Sequence, residues 1–547
     1  MTSKKRVLIV GGGSAGWMTA AYLNGALNYQ GRMKNVEITL VESPDIPRIS
    51  VGEATIPSIC HLLSVVGLNE LKFMRATDAT FKQSIKYVNW VNNDNSFYHH
   101  PFSRLRTLPI DRSGLMWLAS DRKIPFMETC STQPIICEMG LAPQMLTRWD
   151  MGEPLSYAYH MNAQKFADYL RDFSVSRGVK HILANVTDVK MNPDKNQHIA
   201  AIRTDQEHRL EADLFVDCTG FRSKLIEEKL GVEFEDCSQW LLCDRAVTMH
   251  IPYDRFYPGM VRPYTTATAL SNGWIWDIPM QNQRSVGYVH SSHFISEEDA
   301  EKEMRAYQGE GTDDLNSRFV HFKVGRRHKN WEGNCVAIGL SGGFIEPLES
   351  TGLYLSDLGV VMLAEHFPYD NNNMELLAHR YNRILSNRFY EILDFINMHY
   401  CMTRRTDTEF WKEVQKPERI TDRLKAKLEY WRIKPPSPSD FEDQNFPGQS
   451  QAAQSAALCG GDMRAAVDTA GLWNHESYEC ILYGMNFLDK EYDTKYGAHR
   501  PPLQINPQII QRLQMAKAKL PPHAVWLNRA LGMQEYPTAY RPAGWVA

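Results

Sequence analysis

The stretch from Arg6 to Leu23, RVLIVGGGSAGWMTAAYL, limits what this chain can fold into more than any other. Val7, Leu8, Ile9 and Val10 form a continuous apolar run, the pattern of a strand buried on both faces. Gly11, Gly13 and Gly16 then supply the G-x-G-x-x-G spacing, and Trp17 to Leu23 read as the following helix. Glycine is needed there because the chain must turn tightly, admit a pyrophosphate against its backbone and pack helix on strand, with the helix N-terminus facing the phosphate charge. Val36 to Val41 reads as a second strand closed by Glu42, an acid placed where ribose hydroxyls are held. The pattern predicts a dinucleotide-binding α/β unit and does not choose between FAD and NAD.

A chain of 547 residues with 43% apolar content can bury a large core and hold two or more compact units. Lys plus Arg total 60 and Asp plus Glu 64, a net charge of −4 that gives no support to a nucleic-acid or polyanion partner. Arg326-Arg327-His328-Lys329 and Arg404-Arg405 read as solvated faces or ion pairs. The ten cysteines show no C-x-x-C pair and no zinc spacing, so no metal site is expected, and most read as small core residues in a reducing compartment. MTSKKR leads directly into the first strand, and no apolar run has membrane-spanning length. A soluble cytoplasmic protein without a membrane partner is the expectation.

Along the chain, Gly52 and Ala54 are small enough for a flat ring to approach, or they belong to a turn opening a helix at Ser58 to Val66. Phe81 to Trp90 enters a strand, in which Lys82 and Lys86 read as surface charges. Residues 92–158, rich in His, Pro, Trp and Met, suit an insertion that builds a pocket wall. His160 to Arg177 has helical spacing. Asp213 to Gly220 is an apolar strand ending in a small-residue turn, which either lies against the same cofactor or is an ordinary strand end. Trp274 and Trp276, two apart in Gly273-Trp274-Ile275-Trp276-Asp277-Ile278-Pro279, share one face of a strand, a pattern usual for core packing. The strand Cys335 to Gly339 runs into a glycine-bearing loop and a helix from Leu353, whose free N–H groups make an anion site. From about Glu375 the reading is helical, Pro435 to Ser439 marks a break, and 446–470 is a polar, small-residue segment of unassigned order. The fold class is α/β: a Rossmann-like dinucleotide-binding unit (1–91 and 159–390), with a second sheet and a mainly helical substrate-side subdomain (92–158 and 391–547).

The glycine turn, Gly52-Glu53-Ala54-Thr55-Ile56-Pro57, Phe81-Lys82 ahead of Asn89-Trp90, the W-x-W-x-I-P element, and Phe344-x-Glu346-Pro347-Leu348-Glu349-Ser350-Thr351-Gly352 occur in that order. Together they resemble a flavin-dependent halogenase of the tryptophan-halogenase type, from the start to about Trp411. The resemblance implies that the Rossmann-like unit is an FAD-binding domain of flavin-monooxygenase type, with FAD used as FADH2 together with O2 and a halide ion, chloride or bromide. In such enzymes halide attacks the flavin C4a-hydroperoxide, and the resulting hypohalous acid travels to a lysine beside an aromatic substrate. That lysine corresponds to Lys82, and Glu349 to the second catalytic residue, which stabilises the ring cation, removes its proton and would pair with Lys82. Thr351 and Gly352 match the halide site. Gly11, Gly13, Ser14, Ala15, Gly16, Glu42, Ala54, Gly339 and Leu353 match the cofactor site, and Trp274, Trp276 and Pro279 a barrier between flavin and substrate.

At the substrate end, His100 and Phe102 resemble pocket residues, with His99 leaving the register open, and Trp473 resembles the pocket tryptophan. Asp462 to Ala470 lacks the Tyr-Tyr and Glu pattern that grips the amino-acid end of tryptophan, which points to indole-like or other electron-rich aromatics. No second nucleotide fingerprint is present, so a separate NAD(P)H-dependent flavin reductase is the implied partner, and a homo-oligomer stays open. The rival readings are an aromatic flavin monooxygenase that hydroxylates its substrate and a non-catalytic protein that binds FAD or an aromatic ligand.

Overall fold

The computed structural model describes residues 4–47, 51–104, 112–145, 155–253, 261–437, 440, 472–496 and 500–532. The segment 446–470, with the Asp462 to Ala470 reading, lies outside them, and so does Cys459. The strand Lys5–Val10 pairs in parallel with Val36–Glu42 on one side and Leu214–Asp217 on the other. Val7 and Ile9 pack into one apolar cluster and Leu8 and Val10 into another. That two-sided burial is why the run shows no polar alternation. Cys335–Ala337 and Lys180–Leu183 extend the sheet in parallel, and Trp331–Glu332 closes one edge antiparallel. The helix Ser14–Leu27 covers one face, packed on Ala163–Ser176 and Thr351–Glu365.

Phe81 to Trp90 enters two strands rather than one. Thr80–Lys82 pairs with Ala158–Asn162, which also carries Gly52–Ala54, in a small antiparallel sheet. After Gln83 the chain crosses into Ser84–Val88 of a seven-stranded sheet, between Thr265–Ala269 and Phe97–Pro101. Lys82 therefore sits at the junction of two sheets. In the larger sheet Gly273–Pro279 lies between Thr265–Ala269 and Gln283–His290. Phe97–Pro101, within the stretch read as an insertion, is its edge strand, and the helix Met374–Cys401 runs unbroken through the boundary drawn at residue 390.

Lys86, like Lys82, is buried rather than a surface charge: its ammonium lies 3.0 Å from Glu138 and 3.8 Å from the Phe97 ring centre. Arg326 and Arg327 are also buried, ion-paired to Glu235 and Glu227. Arg404 and Arg405 pair with Asp489 and Asp407. The described cysteines are free thiols, most of them buried.

Candidate active site

A cavity of about 820 Å³ opens where the six-stranded sheet meets the seven-stranded one. Gly11, Gly13, Ser14, Ala15 and Glu42 line it from the first strands, and Gly339 from the turn after Cys335–Ala337. Gly11 has φ +110°, a conformation open to glycine, and a Cβ there would stand 2.2 Å from the Cys218 carbonyl oxygen. Gly16 does not line the cavity: it lets helix meet strand, since a Cβ would fall 1.9 Å from the Gly11 carbonyl oxygen. Glu42 lies 2.8 Å from His181 Nε2, folded under Gly12 so that no side chain fits there. The turn after Leu214–Asp217 borders the same cavity through Cys218, Thr219 and Gly220.

Ala54, Trp274, Trp276 and Ile278 line the cavity from the strands Gly52–Ala54 and Gly273–Pro279. The two indoles stand edge to face with centroids 6.2 Å apart, and Gly287 makes room for the Trp276 ring, which a Cβ would meet at 2.1 Å. They line the cavity and belong to the same apolar cluster as Tyr87, Phe395 and Trp473. Pro279 is buried off the cavity wall, its carbonyl accepting a bond from the Thr80 hydroxyl at 2.5 Å.

The cavity fits a flavin dinucleotide. A Cβ on Gly13 or Gly352 would meet nothing within 4 Å, so both backbones face open space. The buried Trp276 Nε1 has no partner among the described residues, a donor left for a bound group. Leu353 lines the wall beside Gly352, at the start of the helix Thr351–Glu365, where backbone N–H groups lack intrahelical acceptors. The neighbouring Thr351 hydroxyl is buried without a partner among the described residues.

Lys82 is 0% exposed. Its Nζ donates to the Thr55 carbonyl at 2.9 Å and to Ser350 Oγ at 2.6 Å. Ser350 also lines the cavity, so one side chain links the lysine to the flavin space. Ser350 holds φ 60°, a strained left-handed conformation for a non-glycine residue, at the head of the helix Thr351–Glu365. Burial pulls the Lys82 ammonium down to about 7, with the Glu349 charge working the other way.

Glu349, 2% exposed, does not form the expected ion pair with Lys82 within 4 Å. It accepts from the Tyr87 hydroxyl at 2.5 Å, lies 3.0 Å from His100 Nδ1 through both oxygens, and sits 3.2 Å from His399 Nε2. Burial alone would raise this carboxyl; His100 and His399 draw it well below the usual carboxylate range. The strand register places Ile85 opposite His100 and Tyr87 opposite Tyr98, one face toward Glu349. Lys86 and His99 share the other face and meet Glu138, which fixes His100 as the histidine on Glu349.

The Phe102 ring centre is 5.2 Å from Lys82 Nζ. Trp473 stacks on Phe395 with centroids 4.3 Å apart and planes 7° apart, and Phe395 lies 5.8 Å from the His100 ring. An aromatic wall thus adjoins the Lys82 and Glu349 pair. Tyr87, His399, Phe395 and Ser350 were not singled out in the sequence; only Ser350 lay inside a motif that pointed here. Among the described residues no group of His, Cys, Asp or Glu could hold a metal ion, and no helix is long and apolar enough to cross a membrane.

Residues 6–501 match the family model described as tryptophan halogenase, past Trp411, where the sequence motifs end. The chain is 34% identical over 531 residues to tryptophan 6-halogenase ThaL of Streptomyces albogriseolus, covering 93% of each chain. A crystal structure of tryptophan halogenase from Shewanella frigidimarina superposes with TM-score 0.84 at 30% identity, covering 98% of this chain and 99% of that one. Xcc4156, a flavin-dependent halogenase from Xanthomonas campestris, superposes with TM-score 0.79 at 31% identity, covering 98% and 100%.

Proposed function

The chain belongs to the tryptophan halogenase family and is a flavin-dependent halogenase, and on that premise we propose how its residues halogenate an electron-rich, indole-like ring. FAD, when bound and reduced, supplies hypohalous acid from O2 and halide. Gly11, Gly13, Ser14, Ala15 and Glu42 would hold the dinucleotide, with Ala54, Gly339 and Leu353 closing around it. The Thr351 hydroxyl and the backbone at Gly352 would hold chloride or bromide: free N–H groups and one hydroxyl attract a monovalent anion and still release it. Trp274 and Trp276 shut the substrate out of the flavin space, so the small oxidant alone crosses.

The observation that carries this reading is the buried Lys82 Nζ, bonded to a serine of the cavity wall and 5.2 Å from the Phe102 ring centre. Two of its three ammonium hydrogens are used by Thr55 and Ser350, which leaves one direction for the oxidant's oxygen. A fixed donor aims an otherwise indiscriminate electrophile at one ring position. Substitution builds positive charge on the ring, and ionised Glu349 stabilises it and takes the departing proton. A separate NAD(P)H-dependent reductase would deliver the reduced flavin. Because Asp462 to Ala470 lacks the Tyr-Tyr and Glu grip, simple indoles should react faster than free tryptophan.

Mass spectrometry after incubation with a flavin reductase, FAD, NADH and each halide, over a panel of indoles, tests this. Products gaining one halogen, absent without halide, are expected. Hydroxylated products that ignore halide would refute the reading.

A further inference from the structure

Among the charged side chains lining the flavin cavity, Glu53 stands apart. Glu42 is held by His181, Asp45 accepts from Asn185 Nδ2 at 2.6 Å, Arg222 pairs with Glu228, and Lys224 donates to the Val186 carbonyl. The Glu53 carboxylate, half-buried on the same wall, has no hydrogen bond or ion pair among the described residues. It lies on the strand Gly52–Ala54, which packs against Gly273–Pro279, the strand of both indoles, and Gln283–His290. Glu53 and the two indoles therefore line one cavity.

The titratable groups on the packed elements are occupied elsewhere. On Ala158–Asn162, His160 bonds Thr80 and Thr265, and the Tyr159 hydroxyl bonds Glu70. On Gly273–Pro279, Asp277 pairs with Arg262 and with Arg284 of the next strand. On Gln283–His290, the Tyr288 hydroxyl meets Asn272 and Ser271, and His290 Nδ1 meets the Tyr288 carbonyl. Lys82 points to Thr55 and Ser350. Among the described residues no charge compensates Glu53, and burial by itself pushes its carboxyl up to about 7.

Making hypohalous acid from anionic reduced flavin, O2 and halide consumes two protons and yields oxidised flavin, hypohalous acid and one water. Flavin and halide each give up two electrons, and O2 takes all four. Those protons are taken up in the flavin cavity, which Lys82 and Glu349 do not line. Resting on the flavin reading above, we propose that Glu53 is the proton-carrying group of the flavin cavity: it is neutral while reduced FAD is bound, gives its proton during halide oxidation, and is reprotonated from solvent through the cavity.

An ionised Glu53 would repel the anionic reduced flavin, so this side chain should add its own pH dependence to the affinity, beyond that of the flavin's ionisation. Anaerobic titration of the full-length protein with reduced and with oxidised FAD, from pH 6 to 8.5, tests this in the wild type and in Glu53→Gln. Relative to Glu53→Gln, in which only the flavin's own ionisation remains, the wild-type reduced-to-oxidised Kd ratio is expected to rise about tenfold between pH 6 and pH 8. Glu53→Asp should restore the wild-type profile. Superimposable profiles for wild type and Glu53→Gln would overturn the proposal. A second measurement needs no variant: the wild type binding reduced FAD at pH 8 in weak buffer should take up close to one proton, and no uptake would overturn the proposal. A wild type that binds neither form of FAD would instead refute the flavin reading itself.

Discussion

At the scale of residues, two buried groups with opposite displacements divide the chemistry. Lys82, brought to about 7 by burial, is close to the point where it changes charge, whereas Glu349 stays ionised because His100 and His399 face it. If the ammonium aims the oxidant, halogenated product per flavin oxidised should fall as pH rises through about 7, because the third N–H is lost. A yield that rises instead would assign the work to the neutral amine, through an N-halogen bond. Product yield rather than flavin oxidation is the quantity to follow, since Glu53 acts on the flavin step. Glu349→Gln removes the charge but keeps the Tyr87 and His100 contacts in reach. It should lower the halogenation rate about 10²–10⁴-fold, the range for losing a positioned acid–base group, with flavin affinity unchanged in a binding titration.

At the scale of elements, the helix Thr351–Glu365 and the strand Gly273–Pro279 do the positioning. A Cβ at Gly352 meets open space, so Gly352→Ala should fold normally and fill the anion site. Halogenation by this variant should drop at least about tenfold at fixed halide while the oxidised-FAD Kd holds. Gly287→Ala drives a methyl into the Trp276 ring and should loosen the partition; hydroxylated or uncoupled products by mass spectrometry are the expected sign. Gly16→Ala collides with backbone instead, and should cost about 2–3 kcal/mol in denaturant unfolding. These elements were legible because their signals are local: an apolar run, a glycine spacing, two indoles at period two. The partners of Glu349 were not. Tyr87 stands 262 positions away in sequence, and nothing in its strand marks its hydroxyl as a donor to a distant carboxylate. Lys86 misled for the same reason, because the burial of a lone lysine is decided by a tertiary partner, here Glu138.

At the scale of the whole molecule, the active centre is built at a cost in pH-dependent stability. Burial pushes Glu53, Glu346 and Asp357 each up to about 7. Between the ordinary carboxylate range and pH 7 the unfolded chain has released these protons while the folded chain keeps them. Their contribution is thus full below the unfolded values and is lost as pH rises through about 7. Lys82 has the opposite sense: its burial penalty is complete below about 7 and shrinks from there toward 10.5, where the unfolded chain also loses its proton. Calorimetry of the flavin-free protein should show Tm falling from pH 5.5 to 7.5, with a shallower fall in Glu346→Gln. In the proposed account the architecture as a whole separates oxidant formation in the cavity from substitution beside a serine-tethered lysine. The most direct test is a single turnover with reduced FAD, O2 and bromide, comparing wild type with Lys82→Ala by absorbance and by mass spectrometry of an added indole. Flavin should reoxidise at a near-wild-type rate in the variant while brominated indole disappears and free hypobromous acid is trapped in solution. Brominated indole formed by Lys82→Ala at the wild-type rate and position would contradict the account.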